Sequence, residues 1–140
     1  SGAGKSTHSR LWLLHVPGCR LLNDDQPAVQ ISPAGEIRIF GTPWSGKTPC
    51  YRQDSARLMA FFRMRQAVAN RLVRPAPIEA FRLLLESASM IGRDSHTFEA
   101  ITRTLAEIAS RVPVYVLENR PEEAAVRLSS GQVFASKPLR

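Results

Sequence analysis

The stretch S-G-A-G-K-S-T, Ser1 to Thr7, decides how the chain folds. It matches the back half of a phosphate-binding loop, G-x-x-x-x-G-K-[ST], with Gly4, Lys5 and Ser6 in the last three positions. The residue types follow from the task. Small residues at Ser1, Gly2, Ala3 and Gly4 let backbone N–H groups turn inward around an anion. Lys5 brings a point charge to the outer phosphates, the Ser6 hydroxyl suits Mg²⁺, and Thr7 carries the loop into a helix. The first Gly of the pattern and the strand leading into it would precede Ser1, so the domain is expected without its N-terminal strand.

Working outward, Lys5 to His15 reads as a helix with Leu11, Trp12 and Leu14 as its apolar positions, stopped by Pro17-Gly18. A helix starting there aims its positive end at the bound anion. Next, C-R-L-L-N (Cys19 to Asn23) reads as a buried strand carrying Asp24 and Asp25 at its C-terminal edge, where ligands of open α/β sheets gather. The two carboxylates fall 18 and 19 residues after Ser6, a separation that suits loop, helix and returning strand. Adjacent strand residues face opposite ways, so one of the pair reaches a reacting phosphate.

Ala28 to Ser32 and Glu36 to Phe40 alternate across a Pro33-Ala34-Gly35 turn, which predicts a hairpin. G-T-P-W-S-G-K-T-P, Gly41 to Pro49, is a loop. Arg57 to Met64 fits a buried strand, with a helix left open by its periodicity, and Gln66 to Leu72 reads as a short helix. Pro77 opens a helix with Ile78, Phe81, Leu84 and Leu85 on its inner face. Asp94 or Ser95 caps a longer one to about Arg111, with Phe98, Ile101, Leu105 and Ile108 inward. Val114 to Leu117 is a strand, Pro121 to Leu128 a last helix, and the tail from Gly131 irregular or a small edge strand.

The bulk properties fit one domain. A chain of 140 residues, 44% hydrophobic and 22% charged, can bury a single core. No apolar run approaches the roughly 20 residues that cross a bilayer. Cys19 and Cys50 are too few for a disulfide scaffold or zinc site, which predicts reduced thiols and a cytoplasmic protein. The net charge of +7 points to acidic partners, nucleotide phosphates first; the dispersed basic residues carry no nucleic-acid signature. His8, His15 and His96 lack metal-binding spacing, and His8 is expected at the surface. Lys47, in its Gly-flanked loop, can deliver an ammonium to a phosphate, with Trp44 beside it as a cover. Arg63, Arg65, Arg71 and Arg74 form a basic cluster.

Four stretches in order, S-G-A-G-K-S-T, L-L-N-D-D (Leu21 to Asp25), F-G-T-P-W-S-G-K (Phe40 to Lys47) and R-V-P-V-Y-V-L (Arg111 to Leu117), carry a resemblance. Together they resemble the catalytic domain of HPr serine kinase/phosphorylase, especially its shorter bacterial relatives, a fold shared with phosphoenolpyruvate carboxykinase. The resemblance implies an α/β phosphate-loop domain, a mixed sheet with flanking helices, that uses MgATP to phosphorylate a serine or small-molecule hydroxyl. It implies Asp24 as the proton acceptor, Lys5 as the group neutralising the transferred phosphate, Ser6 and Asp25 as Mg²⁺ ligands, and a homo-oligomer in keeping with the hexamers of the parent family. Its metal-binding Glu falls on Arg38 here, with Glu36 two residues earlier on the same strand face. The rival reading is a nucleotide-binding regulatory or assembly protein without transfer, or an inactive truncated piece of such a kinase. Membranes and nucleic acids are not expected partners.

Overall fold

The computed structural model describes residues 4–46, 49–50, 52–89 and 94–135. Its most buried strand is β6 (Val114–Asn119), whose V-Y-V-L-E-N run is inside at every position but Glu118. A continuous apolar run belongs to a strand covered on both faces, and β6 is the centre of its sheet. On one side it pairs in parallel with β4 (Phe61–Gln66), from Phe61↔Val114 to Gln66↔Asn119. On the other it pairs antiparallel with β5 (Arg71–Val73).

Alternation along β6 divides the core. Val114 and Val116 face a cluster built from Ala80, Leu83 and Leu84 of α2 (Pro77–Ser87) and Ile108 of α3 (Ser95–Arg111). Tyr115 and Leu117 face the other way. There Tyr115 stacks on Phe62 with ring centroids 5.5 Å apart, and its hydroxyl accepts from Gln132 Nε2 of α4 (Glu123–Ala135) at 2.9 Å. Leu117 is wholly buried. The first helix, α1 (Lys5–His15), packs on α4, so helices lie on both faces of this sheet.

A second, antiparallel sheet runs β1 (Ala28–Ile31), β2 (Ile37–Phe40), β3 (Ser55–Arg57), with Ile31↔Ile37 and Phe40↔Ser55 in register. Ile37, with Val29 and Ile31, joins the α2–α3 cluster. The described residues thus form a mixed α/β fold of two small sheets and four helices. α1 has the expected bounds, the hairpin is in place, and Asp94 caps α3 by accepting from Thr97 N at 2.8 Å.

Several expectations are overturned. Residues 19–25 form no strand: the carbonyls of Leu21 and Leu22 meet the Cys50 thiol, and the Asn23 side chain binds loop backbone, so the segment is satisfied from a neighbouring loop. The expected strand over 57–64 splits into β3 and β4, each serving a different sheet. Residues 66–72 are no helix, because Gln66 ends β4 and Arg71 begins β5. In α2 the inward residues are Ala80, Leu83 and Leu84, while Ile78 is 77% exposed in the first turn. Phe98 of α3 and Leu14 of α1 also face outward, the latter 74% exposed. The last helix starts at Glu123 and runs through Gly131 to Ala135, where an irregular tail or edge strand was expected.

Candidate functional site

α1 begins abruptly. Gly4 takes φ 82°, a left-handed conformation that an L side chain would strain, and it offers no side-chain cap. The first helical bond runs from His8 N to Gly4 O at 2.9 Å, so the N–H groups of Lys5, Ser6 and Thr7 find no acceptor within the helix. The first turn holds no acidic residue to offset its positive end.

This helix end opens on a cavity of about 390 Å³ lined by Gly4, Thr7, Gln66, Ala67, Asn119 and Pro121. Gln66 and Asn119 are the last, mutually paired residues of the parallel strands β4 and β6. The cavity therefore sits where ligands of parallel sheets gather, outside the carboxyl ends of the strands. Asn119 is 5% exposed; its Nδ2 donates to Arg120 O at 3.2 Å, and its Oδ1 is buried with no partner among the described residues. Asn70 holds the turn beyond it, accepting from Arg120 N at 2.8 Å and donating to Glu122 Oε1 at 2.6 Å.

A buried polar knot fixes α1 against α4. Trp12 Nε1 donates to Ser129 Oγ at 2.9 Å and approaches His8 Nε2 at 3.1 Å, and His8 Nε2 lies 3.1 Å from Ser129 Oγ. His8, expected at the surface, is 8% exposed, and burial pushes its pKa below the ordinary histidine value. Its role is to hold the helix rather than to face a ligand.

Among the nominated residues, Gly4 and Thr7 line the cavity, and Lys5 and Ser6 are exposed on the same helical turn. Ser1, Gly2, Ala3 and Lys47 lie outside the described residues. Asp24 is half-buried and Asp25 exposed, and neither lines the cavity. They sit in a turn where Asp25 N donates to Asn23 Oδ1 at 2.8 Å. Asn23 Nδ2 donates to Trp44 O at 3.0 Å and Thr42 O at 3.2 Å, while Thr42 Oγ1 donates to Gln26 O at 2.7 Å. The loop clasps the acidic turn closely: a Cβ on Gly46 would stand 2.8 Å from Asp24 Oδ2. Both aspartates thus depend on the 41–46 loop for their position, where a strand end was expected to hold them.

Among the described residues no group of three or more His, Cys, Asp and Glu could hold a metal ion. Of the two expected magnesium ligands, Ser6 is exposed on the first turn of α1 and Asp25 is exposed in the 23–25 turn, off the cavity wall. Glu36 is engaged elsewhere, accepting from Arg38 Nη1 at 3.2 Å, and Arg38 also donates to Ser55 Oγ at 2.9 Å. In the basic cluster Arg63 donates to Ser87 Oγ at 3.1 Å, and Arg65 and Arg71 flank Glu118 in register. Asn119 was missed in the sequence; its signal was a polar residue closing the apolar run V-Y-V-L-E-N.

Compared with protein-family models, with curated proteins and with solved structures, the chain matches none. No helix of the described residues is long and apolar enough to cross a membrane.

Proposed function

We propose that this chain is an α/β phosphate-loop domain of the HPr kinase and phosphoenolpyruvate carboxykinase type that binds MgATP and transfers the terminal phosphoryl group to a hydroxyl. The observation that carries the reading is the left-handed Gly4 opening α1, uncapped, into a cavity at the carboxyl ends of two parallel strands. Ser1 to Thr7 cradle the phosphates with backbone N–H groups, and Lys5 neutralises the outer one. Ser6 and Asp25 supply oxygens to Mg²⁺, which when bound screens charge on the phosphate oxygens. Asp24 takes the proton from the acceptor hydroxyl as its oxygen bonds to phosphorus and ADP leaves. Lys47 adds an ammonium charge to the phosphates. The acceptor is a protein serine or a small-molecule hydroxyl, and the setting is cytoplasmic.

The test is a calorimetric titration with ATP in the presence and absence of Mg²⁺. Lys5→Ala is expected to weaken MgATP binding at least tenfold, about 1.4 kcal/mol. Wild-type protein that binds no MgATP, or an unchanged Lys5→Ala variant, overturns the reading. The second reading is a nucleotide-binding regulatory or assembly protein without transfer. It is favoured by Arg38 at the resembled family's Glu position and by the absence of both aspartates from the cavity wall. Labelled-phosphate transfer that disappears in Asp24→Asn while nucleotide binding persists selects the kinase.

A further inference from the structure

The register of the central sheet lines up charged side chains at its carboxyl end. Arg65 of β4 and Arg71 of β5 both pair with Glu118 of β6, and residues paired across a sheet share a face, so they form one row. Alternation puts the row on the side of Val116, where α2 and α3 pack. Both arginines are exposed and Glu118 is half-buried between them, yet no ion pair among the described residues joins either guanidinium to it. The row is therefore left positive, and Arg74, exposed just after β5, adds to it. Glu79 of α2, whose carboxylate feels the Arg65 charge, is already held by bonds from Arg82 at 2.9 and 2.7 Å, which lower its pKa more than Arg65 does. Apolar surface adjoins the row: Val68, in the turn from β4 to β5, is 95% exposed, and Ile78 precedes Glu79 on the outside of α2. Both are aliphatic. The exposed aromatics that could stack on nucleic-acid bases, Trp44, Phe98 and Phe134, belong instead to the 41–46 loop, α3 and α4.

The next residues along β4 and β6, Gln66 and Asn119, line the α1 cavity. The row thus stands one strand step, about 3.3 Å, from that wall and on the opposite face. Resting on the phosphoryl-transfer reading above, we propose that Arg65 and Arg71 dock an acidic segment of a protein acceptor, which passes over the carboxyl edge of the sheet to bring its hydroxyl to the α1 cavity. Guanidinium forks bind carboxylates through paired N–H donors, and Val68 and Ile78 cover the aliphatic stems of the docked side chains. Crossing from one face of the sheet to the other covers about 10 Å, which roughly three extended residues span. The acceptor is accordingly a protein with a serine about three residues from an acidic run, and not a small-molecule hydroxyl.

The experiment follows the fluorescence anisotropy of a labelled peptide of four glutamates, two glycines and a serine on the full chain at about 50 mM salt. A lysine counterpart and a single-stranded oligonucleotide of equal charge are run beside it. Wild type is expected to bind the acidic peptide at least about tenfold more tightly than the lysine peptide, with affinity falling as salt rises. Arg65→Gln/Arg71→Gln is expected to lose about tenfold, Arg65→Lys/Arg71→Lys to retain most of the binding, and Glu118→Gln to gain about twofold. Arg10→Gln/Arg103→Gln, which removes the same charge from α1 and α3, is expected to stay within about twofold. Equal losses in the two glutamine double variants overturn the docking row, as does an oligonucleotide that binds more tightly than the acidic peptide. MgATP is titrated in parallel. MgATP binding without peptide docking overturns the row and leaves the phosphate reading standing; peptide docking without MgATP binding supports the row and overturns that reading together with the acceptor role. Where both bind, labelled phosphate is expected to reach the peptide serine, with KM raised and kcat kept in Arg65→Gln/Arg71→Gln. A docked peptide that receives no label from bound MgATP overturns the acceptor role.

Discussion

Gly41 offers the sharpest test of how the second sheet and the acidic turn are held together. It follows β2 directly, and its N–H donates to Asp54 O at 3.0 Å just before β3 begins. A Cβ at this position would stand 2.0 Å from Arg52 O, 3.1 Å from Arg52 C and 3.2 Å from Leu22 O. All three are backbone atoms, so no rotamer change relieves the contact. Gly41→Ala must push the Arg52 peptide away by about 1 Å or more, which stretches the bond to Asp54 and disturbs the Phe40↔Ser55 pairing. Overpacking costs about 1–3 kcal/mol and the weakened backbone bond about 1, for a loss of roughly 2–4 kcal/mol. With a urea m-value near 2 kcal/mol/M, the unfolding midpoint should fall by about 1–2 M at unchanged slope. Gly131→Ala is the control: it lies in α4 with nothing within 4 Å of its would-be Cβ, and it should hold or raise stability by up to about 1 kcal/mol. A Gly41→Ala midpoint within about 0.25 M of wild type would refute the steric reasoning.

Other outcomes are equally concrete. A Cβ on Gly46 meets first the Asp24 and Asp25 side chains, so Gly46→Ala should change urea unfolding by less than about 0.5 kcal/mol; if Asp24 is the base proposed above, displacing it by up to about 1 Å should lower phosphoryl transfer up to a hundredfold, and unchanged turnover in an active wild type would remove Asp24 from the reaction. Leu117→Ala empties a fully buried site in the central strand and should cost about 2–5 kcal/mol in the same assay, against less than 1 for Leu14→Ala on the surface of α1. For His8, burial lowers the folded-state pKa, so the unfolded chain binds the extra proton first. Stability should therefore be flat above about pH 7.5 and decline as pH falls below the ordinary value near 6.5, by at most about 1.4 kcal/mol per pH unit for this one proton. Urea melts from pH 8 to pH 5 on wild type and His8→Gln check this, and an equal slope in both proteins would show that another group is responsible.

Sequence signals that act locally were legible. The G-K-S-T start of α1, the Pro-Ala-Gly turn between β1 and β2, and the Asp94 cap all depend on a few neighbouring residues, and each is where the pattern puts it. What escaped depends on distant partners. Cys19 to Asn23 looks like a strand because Leu21 and Leu22 are apolar, yet its carbonyls are met by Cys50 and its side-chain amide by Thr42 and Trp44. Gln66 to Leu72 looks helical for its alanines, yet the free edge of β6 recruits Arg71 to Val73 as a strand. At the cavity, the Gly4 start of α1 was readable because the Gly-Lys-Ser-Thr pattern that sets it is local. Asn119 was not, because nothing near it in sequence says that Gln66 and α1 meet it there.

The parallel pairing of β4 with β6 also sets the order in which the molecule can be completed. Its partners lie roughly fifty residues apart, whereas the β1–β2–β3 meander joins neighbours, and closing a long chain segment is slower than closing short ones. During synthesis the meander can therefore zip up while the α1 turn still has no wall opposite it. Gln66 waits for Asn119, and the cavity comes into being only when β6 docks between β4 and β5. Whatever would occupy that cavity meets its complete wall only in the finished sheet, so occupancy would stabilise the last step of folding alone.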